Sequence, residues 1–371
     1  MYRQKFMGKF NRMSNTTIEN KIKELLKSAG AEALIITDPF NMRYLSGFSG
    51  GEGALFLAGD ERVLITDSRY TEAAGKESSF TVIEENRQHP RMQIFRECLE
   101  RCGSGSVGYE DQSLRCSEFD RMKEALPEKL QWIPLKGLVD KTRRIKSEEE
   151  IELIAKAEAI GDAAFLEILK ILQPGMTELE AAAELEYQMR KAGAGGFSFD
   201  TIMASGKNSS MPHAVPSEKK LEEGDFITMD FGCTWKGYCS DMTRTVVLGE
   251  ANEKQREIYR VVLEAQEAAL AVIRAGLTGA EVDQVARDLI AEAGYGDCFG
   301  HGLGHSVGLY IHEEPRLSPS GLDTLECGML ETVEPGIYVP GFGGVRIEDL
   351  VVVTETGCRN LTSSPKCLIE L

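Results

Sequence analysis

The chain has 371 residues, with 42 Lys+Arg against 59 Asp+Glu and a formal net charge of −17. At roughly 100–200 residues per domain that length predicts two domains, and 42% hydrophobic with 27% charged residues excludes wholesale disorder. The acidic balance excludes a broad nucleic-acid surface, which needs clustered Lys and Arg, and excludes docking on anionic membranes.

The first residues, MYRQKFMGKFNRM, are basic but carry no apolar core of a signal peptide, and residues 1–15 are predicted as a frayed extension. No apolar run approaches the roughly 18 residues that suggest a membrane span. Nine cysteines, an odd number without a CxxC pair, read as reduced thiols and place the chain in the cytoplasm. Cys98 and Cys102, four apart on one predicted helix, are too few for a metal site.

Residues 16–29 predict a helix and 31–38 a strand. Segments 53–59 and 62–67, split by Gly59-Asp60, predict a hairpin. A helix starting at Ser68, a strand over 81–85 and a helix over 90–102 follow. This β/α alternation over 16–138 predicts a small α/β N-terminal domain with a partly parallel sheet. Gly103-Ser-Gly-Ser-Val-Gly108 matches the dinucleotide pattern GxGxxG, but it follows a helix and leads into a strand at 107–109, the reverse of the order that pattern needs. It reads as a helix-to-strand loop.

Ser147 with Glu150 forms a capping box that opens a long helix to about Leu172 and a second domain over 147–371. This domain repeats itself. Gly175-Met-Thr-Glu-Leu-Glu180 recurs as Gly276-Leu-Thr-Gly-Ala-Glu281, an offset of 101 residues. Each copy follows a long amphipathic helix and opens a capped helix ending in Ala-Gly. Each then runs through a Phe/Gly-rich stretch to histidine: His213 in one copy, His301 and His305 in the other. The repeat predicts two related halves with a site where they meet.

Strand FITMDFG (226–232), a turn around Trp235-Lys236 and GYCSDMTRT (237–245) predict a hairpin with Asp230 and Asp241 close to directly opposite. Like charges so placed repel, and a bound cation resolves the conflict. ETVEPGIYV (331–339) and GGVRIEDLVVV (343–353), around the turn 340–342, place Glu334 opposite Glu348 in the same way. Between the pairs lies HGLGHSVGLYIHEEP (301–315), whose histidines can ligate. Four carboxylates and one imidazole match two divalent cations; the thiol-free set suits Mn²⁺, with Co²⁺, Zn²⁺ or Fe²⁺ as alternatives. Two such ions can activate a shared water, which indicates metal-assisted hydrolysis. His89, in a polar turn, reads as a surface residue.

At these residues the sequence resembles the creatinase/prolidase/aminopeptidase P family of pita-bread metallopeptidases. NMRYLSGFSGGEG and TDSRY resemble its N-terminal domain, and FDTIMASGKNSSMPHAVP, MDFGCTWKGYCSDMTRT, HGLGHSVGLYIHEEP, ETVEPGIY and GVRIEDLVVVT resemble its catalytic motifs. The resemblance implies an α+β pita-bread catalytic domain with an internal two-fold repeat. It implies five metal ligands, Asp230, Asp241, His305, Glu334 and Glu348, with Asp241 and Glu348 bridging. His213 and His312 then contact the substrate, Glu334 shuttles the proton, and Arg346 lies on the strand face of Glu348. His301 is a supporting or purely structural residue. Ser306 and Glu331 depart from the family pattern, where Gly and a hydrophobic residue are common.

The implied activity is removal of the N-terminal residue from short peptides with proline second, as an Xaa-Pro aminopeptidase and a homodimer. An Xaa-Pro dipeptidase on the same scaffold is the alternative. A metal-free creatinase-type hydrolase and a non-catalytic pita-bread binding module are the remote ones.

Overall fold

The computed structural model describes residues 15–371, so the extension expected over 1–15 lies outside the described residues except for its last position. The chain divides into two compact units, one ending at Arg143 and the other beginning at Arg144.

The first unit is built on six strands: β1 (Ala33–Ile36), β2 (Ala54–Ala58), β3 (Glu61–Thr66), β4 (Thr81–Glu84), β5 (Ser106–Tyr109) and β6 (Gln131–Pro134). Their order is β4-β3-β2-β1-β5-β6. The pairs β1/β5, β5/β6 and β3/β4 are parallel, and β2 is antiparallel to both neighbours. β1 and β2 are buried at every position, which is why ALII and ALFLA read as unbroken apolar runs.

Helices α1 (Asn15–Ala29), α2 (Pro39–Ser46), α3 (Thr71–Glu77), α4 (Arg91–Cys102), α5 (Cys116–Ala125) and α6 (Leu138–Arg143) accompany the sheet. Three of these, α2, α5 and α6, and strand β6 are too short or too polar to show a clear period in the sequence. Local chemistry makes α2: the Asp38 carboxylate accepts from the N–H groups of Phe40 and Asn41, Pro39 takes the first position, and Gly47 closes the helix with φ 78°. Gly103 ends α4 and Ser106 begins β5, so the GxGxxG stretch is a helix-to-strand loop.

The second unit is built twice. Helices α7 (Glu148–Ile168) and α8 (Glu178–Lys191) precede β7 (Gly196–Phe197), β8 (Ile202–Ser205), β9 (Phe226–Phe231), β10 (Cys233–Trp235), β11 (Tyr238–Cys239) and β12 (Met242–Val247). Helices α9 (Glu253–Val272) and α10 (Gly279–Glu292) precede β13 (Gly304–Ser306), β14 (Glu313–Leu317), β15 (Leu330–Val333), β16 (Gly336–Val339), β17 (Gly343–Arg346), β18 (Asp349–Val353) and β19 (Cys358–Asn360). Capping boxes start all four helices, Thr177/Glu180 and Thr278/Glu281 at equivalent places.

The repeat extends to tertiary bonds. Glu178 N–H donates to Lys219 O and Leu221 N–H to Met176 O (3.0 and 2.8 Å); in the second copy Gly279 N–H donates to Asp323 O and Leu325 N–H to Leu277 O (3.3 and 2.8 Å). α7 stops at Ile168, short of the expected Leu172, and a last turn bonds Leu172 N–H to Ile168 O just before Pro174, which cannot continue a helix.

Each half has its own core. Phe165, Leu185, Met203, Met229 and Val246 pack α7 and α8 against β8, β9 and β12, and Val262, Ile290, Val333, Ile337 and Val351 pack α9 and α10 against β15, β16 and β18. Burying each such side chain stabilises by about 1.5–3 kcal/mol, so the strands are held rigidly. Among the described residues no helix is long and apolar enough to cross a membrane.

Candidate metal centre

β9 and β12 pair antiparallel with Thr243 opposite Asp230 and Met242 opposite Phe231. Asp241 is therefore diagonal to Asp230, not opposite it as the sequence suggested. The cause is the turn. Trp235 pairs with Tyr238, so the two loop residues are Lys236 and Gly237, both at positive φ (50° and 84°). Moving a two-residue turn by one position moves the register by two, which keeps Asp241 on the same face as Asp230. Gly232 lies where Asp241 crosses: a side chain there would sit 2.0 Å from the Ser240 carbonyl.

The second acid pair follows the expected register. Val333 pairs with Asp349 in β15/β18, and Gly336 with Arg346 in β16/β17. The same register across the gap sets Glu334 opposite Glu348. Pro335 lies in that gap, and both acids turn their backbone N–H groups outward. Glu334 N–H donates to Leu303 O (2.8 Å) and Glu348 N–H to Thr243 O (3.1 Å), so the latter bond reaches the other half.

The four acids and His305 converge. Asp230, Asp241 and Glu348 each offer a carboxylate oxygen within 4.8 Å of the others. His305 Nε2 lies 3.5 Å from both Asp241 Oδ2 and Glu334 Oε1. His305 Nδ1 donates to the Ser306 carbonyl at 3.1 Å, which leaves the lone pair on Nε2, facing the acids. Burial, and then His312, depress the His305 imidazolium to about 3, so the ring is neutral. Burial and then the neighbouring carboxylates push Asp241 and Glu348 well above the usual range, and burial lifts Glu334 to about 7.

Short polar side chains aim these groups. The Thr332 hydroxyl accepts from His305 N–H at 3.0 Å and donates to Glu334 Oε1 at 2.9 Å. The Thr243 hydroxyl donates to Glu348 Oε2 at 2.7 Å and accepts from Arg346 Nε at 3.0 Å. Arg346 also donates to Asp230 Oδ2 (2.6 Å), Tyr338 Oη (2.7 Å) and the Pro212 carbonyl (3.3 Å). Glu158, which burial holds at about 8, accepts the Asp241 N–H at 3.3 Å. The other oxygen of Asp230, Oδ1, is buried without a hydrogen-bond partner. An orphaned carboxylate oxygen beside under-neutralised acids and an imidazole lone pair fits divalent cations, whose charge supplies what the protein does not.

The cluster floors a cavity of about 540 Å³ also lined by His213, His312, Arg316 and His301. His312 packs edge-on against His305 with ring centres 4.6 Å apart. His301 contacts Tyr338 Oη at 2.9 Å and Gly302 O at 2.8 Å, which makes it a support for Tyr338. His89, in the first unit, lies beside Glu97 at 3.0 Å.

Sequence reading did not single out Thr243, Thr332, Tyr338, Glu158 or Arg316. The two threonines were legible, since each lies two residues from an acid on the same strand face. The others carry no local signal. Of the two departures, Ser306 binds the buried Lys146 ammonium (3.0 Å), while Glu331 is fully buried with neither carboxylate oxygen hydrogen-bonded, and burial pushes it far up.

Two family descriptions match: Creatinase/Prolidase N-terminal domain over residues 20–145, and Metallopeptidase family M24 over residues 152–355. The chain belongs to metallopeptidase family M24. It is a hydrolase that works with divalent metal ions, and its second unit is the family's pita-bread catalytic domain. Among relatives, an Xaa-Pro dipeptidase of Pyrococcus furiosus is 40% identical, over 94% of this chain and 98% of its own length. The structure of an Xaa-Pro dipeptidase from Bacillus anthracis superposes with TM-score 0.92 at 43% identity, covering 96% of this chain and 99% of that one. An X-Pro aminopeptidase from Thermotoga maritima gives 0.89 at 40% identity, covering 94% and 100%.

Proposed function

We propose that this M24 enzyme hydrolyses the bond before proline in short peptides, with two divalent ions held by Asp230, Asp241, His305, Glu334 and Glu348. The observation that carries the reading is the convergence of four acids and a neutral imidazole, with one buried Asp230 oxygen left without a hydrogen-bond partner. The oxygen-rich, thiol-free set favours Mn²⁺ over Co²⁺, Zn²⁺ or Fe²⁺. When bound, the pair supplies an acidified water and polarises the scissile carbonyl.

The chain's own residues do the rest. Glu334, poised near neutrality when metal-free, accepts the proton of the attacking water and returns it to the proline nitrogen as the bond breaks. His213 and His312, both on the cavity wall, hold the peptide across the scissile bond and donate to the carbonyl oxygen as it gains charge. Arg346 has its guanidinium committed to Asp230, Thr243 and Tyr338, so it acts as a positioning residue.

A dipeptidase is the better supported form. An Xaa-Pro dipeptide brings its free carboxylate next to the scissile bond, and Arg316 is a cavity-lining cation whose carboxylate contact, Glu314, is loose at 3.5 Å. The aminopeptidase reading is favoured by the Thermotoga maritima likeness. Assaying Xaa-Pro and Xaa-Pro-Yaa peptides with each metal separates them: cleavage of dipeptides alone supports the dipeptidase, and equal cleavage of tripeptides overturns it. The proposal includes a cytoplasmic homodimer, and the particle mass in solution tests the assembly.

A further inference from the structure

The segment that carries His213 is tied at both ends to one carboxylate. Glu178, the first residue of α8, is fully buried. Its Oε1 accepts from the N–H and hydroxyl of Ser205, at 2.7 and 2.8 Å. Its Oε2 accepts from the N–H and hydroxyl of Ser217, at 3.1 and 2.6 Å. Asn208 Nδ2 donates to both oxygens at 3.1 Å. Ser205 ends β8 and Ser217 lies four residues past His213, so these bonds close residues 205–217 into a ring around one side chain.

At the tip of this ring burial holds Ala214, which packs with Ile202 and Ala204. Met211 and Val215, on either side of His213, are 51% and 82% exposed. The rest of the tether is polar, and a carboxylate saturated with N–H and O–H donors is a stable way to bury one. Two further bonds dock the ring beside the site. Ser209 Oγ accepts from Gly344 N–H at 2.9 Å, and the Pro212 carbonyl accepts from Arg346.

The second half makes an equivalent arrangement from different residues. Asp283 on α10, also fully buried, accepts from Leu303 N–H at 2.9 Å and pairs with Arg287. That guanidinium donates to the carbonyls of Phe299 and His301 at 3.0 and 2.8 Å. In each half a buried acid on the second helix thus fixes the segment leading to the cavity histidines.

We propose that Glu178 is a positioning residue for substrate binding, fixing the 205–217 ring so that His213 is presented to the peptide. This rests on the role given to His213 above. The test uses the metal-loaded enzyme and the variant Glu178→Gln, whose amide would turn donors against donors. Hydrogen exchange at 205–217 is expected to quicken about tenfold, the size expected for one lost charge-assisted hydrogen bond. Segments 226–247 and 330–353 keep their protection and metal content is unchanged. KM for Xaa-Pro peptides rises by a similar factor, with a smaller change in kcat. Ser217→Ala, a milder cut at one end of the ring, gives an intermediate exchange rate. Unchanged exchange at 205–217 in both variants, or a uniform rise across the second unit, overturns the proposal. His213→Ala in the otherwise native enzyme separates the two claims: full activity there defeats the role of His213 and leaves the exchange result standing.

Discussion

Arg346 donates to Asp230 at 2.6 Å from a strand of the opposite half, so a buried guanidinium joins the two repeats at the acidic cluster. The same side chain steadies Thr243, which in turn holds Glu348. Lysine has one charge centre and cannot make this fork. Arg346→Lys is expected to lower kcat/KM by about 10–100-fold, the range typical of outer partners of metal ligands. Kinetics with excess metal, alongside metal analysis, check it: unaltered turnover would show the fork to be dispensable.

Asp241 is buried among other acids, which destabilises the metal-free protein. Asp241→Asn removes one of those acids and one proposed ligand. It should abolish activity and metal stoichiometry while leaving the metal-free melting temperature equal to or above that of the parent. A lower metal-free melting temperature, or near-normal turnover, would contradict the assignment.

Stability without metal should fall as pH rises from 6.5 to 8. Burial raises Glu334 and Glu158 from 4.5 to about 7 and about 8. Between 4.5 and those values the folded state holds protons that the unfolded state has released. The stabilisation is complete below 4.5 and is lost progressively between 4.5 and about 7 for Glu334 and about 8 for Glu158, at up to about 1.4 kcal/mol per pH unit for each group. His305 and His301, depressed to about 3 and about 4, act with the opposite sign only below their ordinary 6.5. Thermal melts of chelator-treated protein across this window test the slope. Added Mn²⁺ should raise the melting temperature most at the alkaline end.

Arg316→Ala separates peptide classes. Loss of a cation that receives the substrate carboxylate should raise KM for Xaa-Pro dipeptides by about tenfold or more, as expected for a charge-assisted pair. Tripeptides, whose carboxylate lies one residue further on, should be little affected. Parallel effects on both classes would remove Arg316 from carboxylate recognition.

The strands, the repeat and the Glu334/Glu348 register were legible because buried strands read as short apolar, β-branched runs and Gly341, at φ 77°, marks the turn. The Asp230/Asp241 register was misread by two because Lys236 stands at positive φ, a conformation that lysine does not advertise. Helix α2 was missed because eight residues hold only two turns, and its cap, Asp38-Pro39, resembles an ordinary loop. Arg316, Glu158 and Glu178 were invisible for a different reason. The partners of Glu158 and Glu178 lie far away in sequence, and only folding brings them, and the cavity that Arg316 lines, together.

The break at Pro335 has a mechanical consequence. It lets the Glu334–Glu348 pair anchor to Leu303 on one side and to Thr243 on the other, while the aspartates come from the first repeat. Neither repeat alone holds the full set of proposed ligands, so metal affinity should read out how tightly the two are docked. Chelation should therefore loosen the seam before it melts either core, turning the catalytic ions into a clasp whose removal is felt first between the halves.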